Sequence, residues 1–238
     1  MDIQQLIEFD KQLLLTLNGQ HSLFWDGFMW TVTSTLTWIP VAAALLYVIF
    51  KNNRLPQAAT ILVMLALCIT FADQISSGIC KPYFARFRPA QDPDIMYLVH
   101  VVNDYRGGRY GFMSSHAANT FAVAMFISLL VRNYLTTILT FSWAVIASYS
   151  RIYLGVHYPG DILCGALLGM SIATLLYFGY RYLYKKREVL HASRYSHGQY
   201  FTSGGYAYTH LSVFYFVLIA TYFGAVIAGM IQTKLLYL

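Results

Sequence analysis

An all-α, polytopic membrane protein with six transmembrane helices and an N-terminal interfacial helix is the fold class this sequence predicts, on three observations. First, 58% of the 238 residues are hydrophobic and only 11% are charged, against about 25% charged in a soluble domain. Second, the charges gather between long uncharged runs. Third, aromatic residues, 17% of the chain, crowd the ends of those runs, as in Tyr177, Phe178, Tyr180, Tyr182 and Tyr184, where an interfacial belt would sit. Too few charges remain to coat a water-facing surface. A soluble enzyme, a disordered chain and a nucleic-acid module are therefore excluded, despite a net charge of +6.

Residues 1–27 carry Asp2, Glu8 and Asp10 where a secretory leader would be basic. Ile3, Leu6, Ile7, Leu13 and Leu14 recur at roughly helical spacing before an Asn18-Gly19 stop, which predicts a helix lying at the interface rather than a signal peptide. About 20 apolar residues cross a bilayer core of about 30 Å. The uncharged runs Phe28–Phe50, Leu55–Ala72, Gly111–Val131, Asn133–Ser150, Ile162–Tyr180 and Leu211–Thr233 are the expected spans, the second continuing past Asp73 toward Cys80. Residues 181–210, rich in basic residues and then in Gly, Ser and Tyr, read as a cytoplasmic loop. Cys68, Cys80 and Cys164 show no metal-ligand spacing and read as small apolar packing.

Loop charge sets the orientation. The links after spans one, three and five hold Lys51, Arg54, Arg132, Arg181, Lys185, Lys186, Arg187 and Arg194; the other side holds Lys11, Lys81, Arg86, Arg88, Arg106, Arg109, Arg151 and Lys234. The raw count ties. Three residues of the second set belong to a ligand site by the argument below, and the Arg181–Arg187 cluster directly follows a span, so the first side is expected to be cytoplasmic.

The outward links contain nearly all the polar residues that suit chemistry. One holds Lys81, Arg86, Arg88 and Pro89; span three then opens with Ser114-Ser115-His116; the link between spans four and five runs from Ser150-Arg151 through His157 to Asp161. Alternate spans return the chain to one side, so the three segments can meet. Phosphoryl transfer accounts for the residue types. Arg and Lys neutralise phosphate oxygens, and amides at a helix N-terminus add donors. One neutral imidazole attacks phosphorus, a second protonates the departing oxygen, and a carboxylate fixes the tautomer of the first. His157, His116 and Asp161 are the economical assignments. Alone, each residue has an ordinary account as an interfacial anchor, a helix cap or a span end. The joint spacing on one side is what outweighs those accounts.

At these residues the sequence resembles the type 2 phosphatidic acid phosphatase superfamily of membrane lipid phosphatases. The family's signatures are K-x6-R-P, P-S-G-H and S-R-x5-H-x3-D. Lys81 through Arg88-Pro89 fits the first, and Ser150-Arg151 with His157 and Asp161 fits the third. The second stands as Met113-Ser114-Ser115-His116, without the Pro and Gly. The motif-bearing core covers residues 81–161 of a single domain, 1–238. The resemblance implies that Lys81, Arg88, Ser114, the Ser115 amide and Arg151 bind phosphate. His157 would form a phosphohistidine, Asp161 would orient it and His116 would serve as acid and then base. No cofactor and no metal are implied. Ser115 in place of Gly keeps the amide but disfavours a positive φ.

The implied partner is a phosphorylated lipid within surrounding membrane lipids, with no nucleic acid and no protein partner deducible. The expected location is the cytoplasmic (inner) membrane of a bacterium, with the site facing the periplasm. Undecaprenyl diphosphate is the favoured substrate because an outward site suits recycling of a lipid carrier. Lipid A phosphate ranks second, ahead of phosphatidylglycerol phosphate and phosphatidic acid. A lipid-phosphate binding or transport protein is the alternative outside enzymes, although the spans offer few midplane polar residues beyond Asp73. Arg106 and Arg109 remain a weak second basic pair, and His21, His100, His191, His197 and His210 lack partners at useful spacing.

Overall fold

The computed structural model describes residues 2–184 and 200–235. Within them the regular structure is helical, and extended pairing is confined to two isolated bridges, Phe87 with Tyr110 and Phe201 with Ala207. The first helix, α1 (Ile3–Asn18), opens with a capping box between Asp2 and Gln5. Its face at Asp10, Leu14 and Asn18 is buried, one residue per turn, while Ile3, Leu6, Ile7 and Phe9 are exposed. The helix therefore packs on the protein as well as presenting an apolar face. Asn18 Nδ2 donates to the carbonyls of His100 and Tyr153 at 3.0 and 2.7 Å, and Lys11 Nζ reaches Asp94 at 2.6 Å.

The expected span Phe28–Phe50 is two helices. Leu23–Thr33 forms α2, a tight turn spans Thr35–Trp38, and Ile39–Asn52 forms α3. Side chains explain the break: Thr37 Oγ1 donates to Thr31 O and Trp38 Nε1 to Val32 O, taking carbonyls a continuing helix would have used. Pro40 then lacks the amide that an uninterrupted ladder would need.

Beyond α3, Leu55–Phe84 is one continuous helix of 30 residues, as the sequence suggests past Asp73. It comprises α4 (Leu55–Asp73), a π-helical stretch (Gln74–Cys80) and α5 (Lys81–Phe84). The wider turns accommodate Pro82, whose ring and missing N–H would otherwise disrupt the preceding turn. The helix stops at Ala85, which is left-handed at φ 45°.

Ser115–Val131 is α6, Tyr134–Tyr153 is α7, Pro159–Tyr184 is α8 and Tyr208–Leu235 is α9. The central helix, α6, packs on α4, α7 and α8, while α9 packs on α2 and α3. Small residues allow the α6–α8 approach: a Cβ on Gly165 would strike the carbonyl of Ser114, and one on Gly169 that of Ala118.

Among the described residues, four helices are long and apolar enough to cross a membrane: Thr35–Asn52, Leu55–Phe84, Pro159–Tyr184 and Tyr208–Thr233. Helix α6 is apolar but has 17 residues, and α7 is diluted by Thr136, Thr137, Thr140, Ser142, Ser148 and Ser150. The expected loop 181–210 is helical at both ends, and its Lys185, Lys186, Arg187, Arg194, His191 and His197 lie outside the described residues. The end of the bundle away from His157 and Asp161 is tied by Asn53 Nδ2 to Tyr206 Oη at 3.0 Å and Thr202 Oγ1 to Val131 O at 2.7 Å.

The glycine contacts make a direct prediction. Gly169→Ala should cost about 1–3 kcal/mol through overlap with backbone. Gly179→Ala on the same helix, with no atom near its Cβ position, should be neutral or stabilising by up to about 1 kcal/mol. Thermal unfolding in detergent checks both, and equal midpoints for the two variants would refute the close approach.

Candidate active site

Three segments separated in sequence meet at one end of the bundle. The first leaves α5 and runs extended from Arg86 to Arg88, paired with residues 109–111: Arg88 N donates to Arg109 O and Gly111 N to Arg86 O. Alternate side chains of an extended segment share a face, so Arg86 and Arg88 point the same way. Phe87 points outward beneath Arg109, whose guanidinium lies 5.2 Å from its ring centroid. The second segment is the start of α6. The third is the turn from α7 to α8, made possible by Gly155 at φ +68°.

His157 is almost fully buried in that turn. Its Nδ1 lies 3.3 Å from Asp161 Oδ2, one helical turn on, and its Nε2 lies 3.3 Å from Arg88 Nη1. Asp161 is wholly buried and held by two further donors, the amide of Tyr158 to Oδ2 at 3.0 Å and Arg86 Nη1 to Oδ1 at 3.0 Å. An acceptor-only carboxylate facing Nδ1 favours the tautomer that carries the proton there, leaving the Nε2 lone pair toward the cationic side. Burial, reinforced by Arg88, Arg151 and Lys81, holds the His157 ring well below its ordinary value of 6.5. The ring is therefore neutral near physiological pH, as a nucleophile must be.

The cations surround it. Lys81 Nζ donates to Ser115 Oγ at 2.9 Å and to Ser77 Oγ at 2.8 Å, and Ser77 in turn donates to Asp73 Oδ1 at 3.3 Å. Asp73 thus communicates with Lys81 through one hydroxyl, which the eight-residue separation alone does not reveal. Arg151 is held by Thr33 Oγ1 at 2.7 Å and Tyr105 Oη at 3.3 Å. Its Nε and His116 Nε2 are buried without a protein partner. Two such buried orphans are costly unless a ligand meets them.

Ser114 and Ser115 each have a protein partner at the start of α6. Ser114 is fully buried, its Oγ accepts the Ala117 amide as the cap of α6, and its own amide donates to Asp161 O at 3.1 Å. Ser115 begins the helix with no positive φ. The residue replacing glycine is thus unstrained, and its hydroxyl adds a partner for Lys81. Arg106 donates to Ala90 O at 2.9 Å and so holds a loop. His100 pairs with Asp26 at 2.9 Å and stacks on His21, away from the site residues.

Sequence reasoning missed Arg86 as more than an anchor, along with Asp10, Tyr105 and Thr33. Arg86 had a usable signal, its two-residue offset from Arg88 in a short segment before a proline. Asp10 had none.

A buried histidine–aspartate pair ringed by Lys81, Arg88 and Arg151 at the end of a helical bundle describes a membrane-bound phosphatase. The family model for the PAP2 superfamily matches residues 57–185, and the chain belongs to that family. A lipid A 4'-phosphatase of Bacteroides thetaiotaomicron is 44% identical over 177 residues, 74% of this chain and 79% of the relative. A lipid A 4'-phosphatase of Porphyromonas gingivalis is 38% identical over 181 residues, 76% of each chain. An undecaprenyl-diphosphatase of Sulfolobus acidocaldarius is 33% identical over 178 residues, 72% of this chain and 79% of that one. The crystal structure of the first transmembrane PAP2 type phosphatidylglycerolphosphate phosphatase from Bacillus subtilis is similar in fold, with a TM-score of 0.55 at 20% identity over 81% of this chain and 90% of that one.

The state of His157 predicts a pH effect. Unfolding frees the ring to take a proton below about pH 6.5, whereas the folded ring stays neutral. The unfolded state then binds more protons, and this residue's contribution to stability falls as pH drops from about 6.5. Relative to unmodified protein, His157→Gln should gain thermal stability between about pH 7.5 and about pH 5, by at most about 1.4 kcal/mol per pH unit. A stability difference that does not change with pH would mean that folding leaves the ring's affinity for a proton unchanged, and a relative loss of stability toward low pH would mean that the folded ring is charged.

Proposed function

We propose that the protein removes a phosphate group from lipid A by a phosphohistidine mechanism. The lipid choice reverses the order drawn from the sequence, where undecaprenyl diphosphate stood first. Relatives at 44% and 38% identity are lipid A 4'-phosphatases, whereas the undecaprenyl-diphosphatase stands at 33%. The observation that carries the chemistry is His157, neutral, backed by Asp161 and open at Nε2 toward Arg88.

In this reading Lys81, Arg88 and Arg151 hold the phosphate oxygens, and the first-turn amides of α6 add donors. Nε2 of His157 attacks phosphorus, the P–O ester bond breaks, and His116 Nε2 gives its proton to the departing sugar oxygen. His116 then takes a proton from water, the hydroxide attacks phosphorus, and the P–N bond breaks to return neutral His157 and free phosphate. Asp161 keeps the ring oriented and balances its charge while it is phosphorylated. Ser114 serves as the cap beneath these groups and Ser115 as a partner of Lys81.

The membrane placement is also proposed. Six membrane crossings follow if α6 and α7 join the four longer helices, with α1 at the outer interface as part of one domain. Lys51, Arg54, Arg132 and Arg181 ring the end opposite the site, whereas the described acids lie on α1, α2, α4, the 85–114 connection and the start of α8. With Lys81, Arg88 and Arg151 set aside as phosphate ligands, and with the Arg181 cluster directly following a span, a cytoplasmic assignment for the end opposite the site and a periplasmic site in an inner membrane is the reading we adopt. Exposed Tyr83 and Phe84, the latter 4.7 Å from Phe112 ring to ring, flank Lys81 where acyl chains could stay in the bilayer.

The test is phosphate release by detergent-purified protein, with EDTA present, from lipid A, undecaprenyl diphosphate, phosphatidylglycerol phosphate and phosphatidic acid. Release from lipid A is expected, indifferent to EDTA and lowered about a thousandfold or more in His157→Ala. Release from undecaprenyl diphosphate alone would restore the first order of substrates. Silence from folded protein on all four lipids would favour a binding or transport role.

A further inference from the structure

Arg86 fills an unspecified position of the first motif and Asp10 lies outside all three, yet the support of His157 closes on them. Asp161 spends Oδ2 on the His157 ring and the Tyr158 amide and offers Oδ1 to Arg86 Nη1. The other terminal nitrogen of Arg86, Nη2, reaches Asp10 Oδ2 at 2.8 Å, and its guanidinium lies 3.9 Å from the Tyr158 ring centroid. Asp10 Oδ1 accepts the amide of Gly160 at 2.8 Å. Gly160 is the residue before Asp161, and a Cβ there would sit 2.7 Å from the Asp10 carboxylate. Asp10 thus grips both the start of the helix that carries Asp161 and the arginine that holds its side chain. It does so from α1, outside residues 57–185 that match the family.

We infer that Asp10 and Arg86 are positioning residues for His157, an inference that rests on the phosphatase reading. Arg86 is not free to bind phosphate, because both its terminal nitrogens are committed to carboxylates. The physical role of Asp10 follows from the preference of a guanidinium for bidentate capture of one carboxylate. Asp10 takes half of the fork and leaves Arg86 with a single bond to Asp161 Oδ1. Oδ2 then stays aimed at Nδ1, which fixes the tautomer and keeps Nε2 facing the cations. Without the negative charge at position 10, Arg86 can turn both nitrogens onto Asp161 and draw Oδ2 away from the ring. The phosphate-binding side chains do not touch Asp10, so turnover suffers rather than substrate binding.

The test compares kcat and KM of the full chain in detergent, on whichever lipid of the panel is turned over, for Asp10→Asn, Arg86→Lys and the double variant. Each single change is expected to lower kcat by about tenfold to a hundredfold, with KM within about twofold and the thermal midpoint retained. The double variant should be no slower than the slower single variant, because both break one cycle. Unchanged kcat in folded Asp10→Asn would overturn the inference. A raised KM with unchanged kcat would also overturn it, by making Arg86 a substrate contact, and so would unfolding of both single variants, by making the pair structural. If unmodified protein releases no phosphate, the phosphatase reading fails and takes this inference with it. Failure of the inference alone would show as full activity in the variants.

Discussion

Asp161 has no exposed surface, and a carboxylate in that position must be matched by donors on every side or lose its charge. Its two oxygens collect the His157 ring, the Tyr158 amide and Arg86, while its backbone carbonyl takes the Ser114 amide. That one residue therefore joins the α7–α8 turn, the cap of α6 and the segment leaving α5. The three pieces of the site are held together by the need to satisfy one buried charge. The close α6–α8 packing at Gly165 and Gly169 is the apolar counterpart, bringing the helix of His116 against the helix of Asp161.

The cationic side answers a different constraint. Lys81, Arg88 and Arg151 repel one another, and each is restrained by neutral groups rather than by a carboxylate of its own. Lys81 uses Ser77 and Ser115, Arg88 uses the carbonyls of Tyr110 and Val156, and Arg151 uses Thr33 and Tyr105. Positive charge is thereby oriented without being neutralised, which suits a doubly charged phosphate. Asp73 reaches Lys81 only through the Ser77 hydroxyl, and Asp10 and Asp161 are engaged with Arg86, on the far side of His157. The division leaves attraction on one side of His157 and orientation on the other.

Irregular backbone appears where this arrangement needs it. The π-helical stretch brings Lys81 over the start of α6 and absorbs Pro82. The break between α2 and α3 leaves Thr33 at a helix end, where its hydroxyl can hold Arg151. The same break divides what an uncharged run of sequence presents as one span. Hydropathy reads the absence of charge but not the competition of Thr37 and Trp38 for carbonyls, so the run looked continuous.

Composition and charge spacing were enough to determine a helical membrane protein, because a bilayer admits few ways to satisfy a backbone and these leave a long apolar signature. Motif spacing was enough to single out Lys81, Arg88, His116, Arg151, His157 and Asp161, since each motif is a short stretch of chain and the four-residue offset from His157 to Asp161 is one helical turn. Ser115 in place of glycine could be flagged but not interpreted, because its value lies in a contact with Lys81, 34 residues away. Asp10 was invisible for the same reason, carrying no spacing relation to Gly160 across 150 residues. The sequence by itself determined the membrane class and singled out the side chains that gather at the candidate site, because both leave local spacing signals. Only the tertiary structure decided how those groups are held, because a buried charge takes its partners from whichever segments folding brings within hydrogen-bonding reach.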